Sequence, residues 1–137
     1  EIVLDHNEPT DREINTIKKF NKKYNNIQQT IIQKVDPIGV SMNRCINKST
    51  GEYLCIWNVD DLRTPTSIEL MANVLDERKD IDIVIGNYII VDKFKSKRGN
   101  TIDESTRPPQ DFMSGMLLGP FFMFRKKALA SVSLFSK

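Results

Sequence analysis

An α/β domain with a largely parallel sheet is the fold class the sequence predicts. Three observations predict it. Four short apolar runs, each of a length suited to a buried strand, alternate with stretches of helical period. Each run stops at a polar cluster rather than fading out, as strands do where they deliver residues to the carboxyl edge of a sheet. At 137 residues the chain suits one domain with a real core and is short for two.

The first run is "EIVLD", Glu1–Asp5, closed by the turn-like "HNEPTD". Thr10 and Glu13 then stand at capping-box spacing. Ile14, Ile17, Phe20 and Tyr24 follow at helical intervals with lysines on the other side. "TIIQKV", Thr30–Val35, is the second strand, stopped by Asp36-Pro37. From Gly39 to Thr50 one helical face carries Met42, Cys45, Ile46 and Ser49, and Gly51 is placed as the residue that ends the helix. "YLCIW", Tyr53–Trp57, is the third strand. Thr64 and Pro65 read as N-cap and first residue of a helix that buries Ile68, Met71, Ala72 and Leu75. Ile81–Asp92 is the fourth strand region, with Gly86 as a bulge or close approach. The polar stretch 93–110 has no period and reads as a surface loop; "GPFFMFRKKALASV" restores order with a strand, Phe121–Phe124, and a basic helix start.

Composition excludes several functions. Hydrophobic residues make up 39% and charged residues 28%, which marks a folded chain rather than a disordered one. A net charge of +2 supplies no global attraction for nucleic acid. No apolar run nears the roughly 20 residues that span a bilayer. One histidine, His6, cannot build a multi-histidine zinc site or a serine-type triad. Cys45 and Cys55 lack CxxC spacing and sit in apolar patterns, as buried thiols of a reducing, cytoplasmic protein do.

The chemistry gathers in "WNVDDLRTP". Asp60 and Asp61 are adjacent like charges at a strand tip, a costly arrangement unless a cation offsets them. Two sources of that cation stand open: Arg63 pairing with Asp61, or a hard divalent ion, Mg2+ or Mn2+, shared with a substrate phosphate. Asp5 and Asn7 after the first run, and Asn87 after Gly86, are the other polar strand ends, and Asp5 and Asp60 would border one crevice if their strands lie close.

Several anchors together resemble the nucleotide-sugar half of family 2 glycosyltransferases, which have the GT-A fold. "IVLDHNEPTD" is similar to their strand ending "VDDGSTD"; "GVSMNRCINKSTGEYL" is similar to their block of Gly, then Asn, then "GEYI"; and "IWNVDDLRTP" is similar to their DxD-type motif with a nearby proline. The resemblance implies a GT-A sheet flanked by helices, with 1–92 as the nucleotide-sugar-binding part and 111–137 as the start of the acceptor side. It implies a nucleotide-diphosphate sugar of UDP or GDP type as donor. A glycan, lipid-linked or protein acceptor would receive the sugar, in cytoplasm or at the inner face of the membrane, and self-association stays open. By position, Asp5 with Asn7 would hold base or ribose, and Asn43 would line the nucleotide pocket with Arg44 beside it. Asn58 would lie near the ribose, Asp60 would bind the metal, and Asp61 would support it or touch the sugar. Plainer roles exist: Asn43 on a helix surface, Asp5 capping a turn, Arg125 and Lys126 at a solvated helix start rather than at a phosphate. The family's first strand would precede Glu1 and its general base would follow Lys137, so a fragment is expected. A non-catalytic GT-A-like module that binds a nucleotide or a protein is the alternative; a nucleotidyltransferase would want a glycine-rich basic loop that is not seen.

Overall fold

The computed structural model describes residues 1–92, 94, 96–106, 108, 110 and 119–131. The chain folds as two compact units, one built on Glu1–Glu52 and one on Tyr53–Ala128.

In the first unit, β1 (Ile2–Asn7) pairs in parallel with β2 (Ile27–Ile32), Asp5 opposite Thr30 and Asn7 opposite Ile32. Both strands differ from their sequence-predicted limits. β1 runs on through His6 and Asn7, so these residues belong to the strand and not to the turn. β2 begins three residues earlier than the apolar run suggests, because pairing with β1 from Ile2↔Ile27 recruits Ile27 and its polar neighbours into the ladder. The chain then turns at Glu8, whose φ of 49° is in the left-handed region and whose N–H reaches the Ile32 carbonyl at 2.8 Å.

Helix α1 (Asp11–Asn21) starts where the capping box places it. The Thr10 N–H donates to Glu13 Oε2 at 2.7 Å, and the Glu13 N–H donates back to Thr10 Oγ1 at 3.3 Å. Its apolar stripe is present but shallow: Ile14 and Ile17 are half-buried, while Phe20 stacks on Tyr24 with centroids 6.4 Å apart and both stay exposed. Helix α2 (Ile38–Lys48) packs against β1. It ends at Ser49 in an extended conformation, and not through Gly51. The Ser49 hydroxyl donates to the carbonyls of Cys45 and Ile46, satisfying groups a glycine C′ turn would otherwise serve. The Gly51 N–H instead donates to Glu1 Oε1 at 2.9 Å, beside those of Thr50.

The second unit departs from a parallel sheet. β3 (Tyr53–Cys55) and β4 (Ile83–Ile85) do not pair with each other; β7 (Phe122–Arg125) lies between them and runs antiparallel to both. Among the described residues β1–β2 is the parallel pairing, so the expectation of a largely parallel sheet is corrected. The physical reason is that a late segment, "FFMFR", supplies the central apolar strand that β3 and β4 share. Helix α3 (Ser67–Glu77) covers this sheet and starts later than Thr64-Pro65 suggests. Its N-cap is Thr66, while the Thr64 carbonyl accepts from the Ser67 N–H and hydroxyl in a preceding turn. Met71, Leu75, Phe121 and Met123 form the core. Gly86 has a steric reason: a Cβ there would lie 2.5 Å from the Phe121 ring and 2.9 Å from Met71 Cε.

The fourth strand region divides at Gly86-Asn87. Beyond β4, β5 (Tyr88–Val91) turns back into β6 (Lys97–Ile102) as an antiparallel hairpin, so the stretch read as period-free loop carries a strand. Residues 111–118 and 132–137 lie outside the described residues.

Arg125 is where the expectation of a solvent- or phosphate-facing cation fails. Its side chain is 2% exposed. Nε donates to the Ile81 carbonyl at 3.0 Å, Nη1 to the Tyr53 hydroxyl at 3.2 Å, and Nη2 to the carbonyls of Leu75 and Arg78. The cation thus closes the C-terminal end of α3, where orphan carbonyls and the helix dipole favour positive charge. Arg125→Met should cost about 3 kcal/mol, because it strands these buried carbonyls without a donor. Equilibrium denaturant unfolding, with Lys127→Met as an exposed control, measures it.

Candidate active site

Polar side chains collect at the ends of β1 and β3, and each cluster is built by its own unit. At β1, alternation along the strand sends Asp5 and Asn7 to the same face. The Asp5 side chain is 4% exposed. Its Oδ2 accepts from Arg44 Nη1 of α2, while Oδ1 is buried with no donor among the described residues. Asn7 Nδ2 donates to Ser41 Oγ at 2.8 Å, leaving Asn7 Oδ1 buried and unserved as well. An acceptor buried without a donor costs about 1–3 kcal/mol, and here two stand two residues apart on one face of β1.

Arg44 is the clamp of this cluster. Besides Asp5 it donates through Nη2 to Asp36 Oδ2 at 2.5 Å, and Lys34 approaches Asp36 at 3.2 Å. Asp36 held no functional role in the sequence, where it served only to stop a strand with Pro37. Its carboxyl is held below the ordinary 3.8, chiefly by the Arg44 hydrogen bond with Lys34 adding to it. Arg44 is correspondingly pushed up, first by Asp5 and then by Asp36. Asn43 is half-buried on α2, one residue before the clamp.

At β3 the chain leaves the sheet after Cys55 and folds Asn58–Asp61 into a tight turn, with the Asp61 N–H on the Asn58 carbonyl at 3.2 Å. Two side chains brace it. The Trp57 indole N–H donates to the Asp61 carbonyl at 3.1 Å, and Asn58 Nδ2 donates to Asp61 Oδ2 at 3.2 Å. Arg63 closes the back of the turn. Its side chain is 6% exposed, its guanidinium carbon sits 4.4 Å from the Phe121 ring centroid and 5.1 Å from that of Trp57, and Nη2 donates to the Pro120 carbonyl at 2.8 Å. The same Nη2 is 3.8 Å from Asp61 Oδ2.

That answers half of the charge problem. Arg63 offsets Asp61, as one of the two open possibilities held. Asp60 is exposed and makes no hydrogen bond or ion pair among the described residues. Of the expected site residues, Asp5 and Asn7 come together with Arg44 and Ser41 in the first unit. Asn58, Asp60 and Asp61 come together in one turn of the second.

The fit to a divalent cation follows from this donor set. Among the described residues no group of three or more His, Cys, Asp or Glu is disposed to hold a metal ion, so the protein offers no complete cage. A single exposed carboxylate, that of Asp60, could anchor Mg2+ or Mn2+ only if water and phosphate oxygens completed the shell.

The fold and these clusters define an α/β chain with polar side-chain clusters at the ends of β1 and β3. The chain belongs to glycosyl transferase family 2, whose family model matches residues 1–133. It is also 26% identical over 110 residues to a protein of Bacillus subtilis (strain 168) named "Putative glycosyltransferase EpsE". That alignment takes in 80% of this chain and 39% of the relative, so the chain spans well under half of the relative's length.

The Arg44 clamp has a pH signature. A carboxyl depressed in the folded state contributes stability that is complete above its ordinary value and is lost as pH falls through the folded one. The Asp36–Arg44 contact should therefore hold above pH 3.8 and open as acid protonates Asp36 below it. The Arg44 side-chain N–H resonances followed through an acid titration measure this, and Asp36→Asn should remove the transition assigned to this contact.

Proposed function

We propose that the chain is the donor-binding part of a GT-A transferase. It moves a sugar from a nucleotide-diphosphate sugar of UDP or GDP type to an acceptor hydroxyl, with inversion, in glycan or polysaccharide biosynthesis. The acceptor is a glycan, a lipid-linked sugar or a protein, and the work is done in the cytoplasm or at the inner face of the membrane. The observation that carries this reading is the free carboxylate of Asp60 on a turn braced by Trp57, Asn58 and Arg63, in a chain of this family.

The residues divide the donor between them. Asp5 Oδ1 and Asn7 Oδ1, buried acceptors with no donor among the described residues, take N–H or O–H groups of base and ribose. Asn43 lines the same part of the nucleotide. Asn58 lies toward the ribose with a neutral amide, which adds no further negative charge. Asp60 holds Mg2+ or Mn2+ together with the diphosphate, and Asp61, already offset by Arg63, keeps the turn in shape and faces the sugar. A divalent ion bound there supplies charge neutralisation to the diphosphate as it leaves. The acceptor hydroxyl loses its proton to a carboxylate base that none of these residues supplies.

Titration with UDP and GDP in the presence and absence of Mn2+ tests the assignment. Binding should require the metal and should fall at least about tenfold in Asp60→Ala, the loss of one metal-phosphate anchor. The far-UV spectrum and unfolding midpoint should stay close to wild type, since Asp60 is exposed and makes no ion pair among the described residues. Binding without metal, or none in the folded protein, assigns the chain instead to a GT-A-like binding module.

A further inference from the structure

Trp57 is the chain's one tryptophan, and it is both bare and fixed. It is 53% exposed, so much of a large apolar ring stays in water and forgoes the stabilisation that burial would bring. The ring is nonetheless held from two directions. Its indole N–H donates to the Asp61 carbonyl at 3.1 Å, and the Arg63 guanidinium carbon lies over it, 5.1 Å from the centroid. Arg63 also lies over the buried Phe121 ring at 4.4 Å. Trp57 is thus the outer layer of a stack founded on Phe121, with Arg63 between. Scattered exposed apolar residues are ordinary on surfaces, but they are seldom locked in place by a cation and a hydrogen bond.

What adjoins the ring names the chemistry that would cover it. The turn beginning at the next residue carries the Asn58 amide and the Asp60 and Asp61 carboxylates, all acceptors for hydroxyl groups. Val59 and Leu62 on the same segment are exposed as well. An aromatic face is the negative side of its quadrupole and attracts weakly positive C–H groups. Two acids beside it repel an anion that arrives without a cation, and they favour neutral hydroxyl donors. A pyranose ring has both features at once, a flat face of C–H groups and a rim of hydroxyls. A phosphate has neither, and a nucleobase has the flat face without the hydroxyl rim.

We propose that Trp57 is the platform on which a pyranose ring stacks, its C–H face on the indole and its hydroxyls toward the polar side chains of the turn. The ring comes from the donor sugar or from the acceptor glycan; the recognition chemistry is the same, and the experiment separates the two sources. The inference rests on the transferase reading above and deepens it, by naming a residue that meets the sugar and not the nucleotide. Arg63 serves it from behind, since a guanidinium stacked on the inner face keeps the ring in one orientation before any ligand arrives.

The single tryptophan reports on its own occupancy, so emission is followed with Mg2+ present. UDP-glucose is compared with UDP and GDP-mannose with GDP; each pair shares a chromophore, and a difference within a pair belongs to the sugar. Such a difference assigns the stacked ring to the donor. A response to methyl β-glucoside, with or without nucleotide, assigns it to the acceptor. Calorimetry on variants then separates stacking from bracing. Trp57→Leu should weaken the sugar ligand that moves the emission about tenfold and leave UDP and GDP close to wild type. Trp57→Phe should stay close to wild type for all of them. Both variants lose the N–H that holds the Asp61 carbonyl, so a ring that only braced the turn would make them fail alike. That result overturns the proposal, as does an emission blind to all three sugar ligands. If UDP and GDP do not bind at all, the donor-binding reading falls separately, and methyl β-glucoside on the nucleotide-free protein still decides this one.

Discussion

The acidic turn after β3 depends on one guanidinium. Arg63 is held between two aromatic rings and anchored on the Pro120 carbonyl, so its position is set by packing before any acid is considered. From there it offsets Asp61, while Asp60 has no counter-charge among the described residues. The arrangement separates two neighbouring carboxylates into different tasks: one becomes part of the scaffold and the other stays available. Without Arg63 the two charges would share the turn on equal terms and repel, and the turn would lose the contact that ties it to the segment leading into β7.

The first unit repeats the logic with different parts. Arg44 engages one oxygen of Asp5 and is itself held by Asp36, so the second oxygen is presented at a defined place while the clamp absorbs most of the charge. A carboxylate held in this way is a directional acceptor and not a freely rotating anion. Ser41 does the same for Asn7 by occupying its amide nitrogen, which leaves the buried carbonyl oxygen without a donor among the described residues. At Asp5 and Asn7 alike, one side of the polar group is engaged and the other is buried without a donor among the described residues.

Local signals in the sequence were enough for the elements that local chemistry decides. The Thr10–Glu13 box starts α1 where spacing alone says, and the apolar face of α3 puts Met71 and Leu75 inside. The strand-tip cluster Asn58–Asp61 was also legible, as was the pairing open to Asp61. What was not legible lies at long separation. Phe121 completes the Arg63 cage 58 residues away, and Arg125 reaches Tyr53 across 72. Asp36 looked like a strand stop because nothing nearby in the chain shows that Arg44 will face it. The parallel sheet failed for the same reason: period and run length define strands, yet say nothing of which later strand will slip between two earlier ones.

That last point bears on how the chain reaches its native state. β7 pairs Phe124 with Leu54 on one side and with Ile83 on the other, so the sheet of the second unit has no centre until its last strand exists. During synthesis β3 and β4 emerge as short apolar segments with nothing to share, and their bare edges persist until residue 125 clears the ribosome. Ordering over that many residues is slow by its topology alone. Between emergence and closure, the same strands are open to pairing with a neighbouring nascent copy.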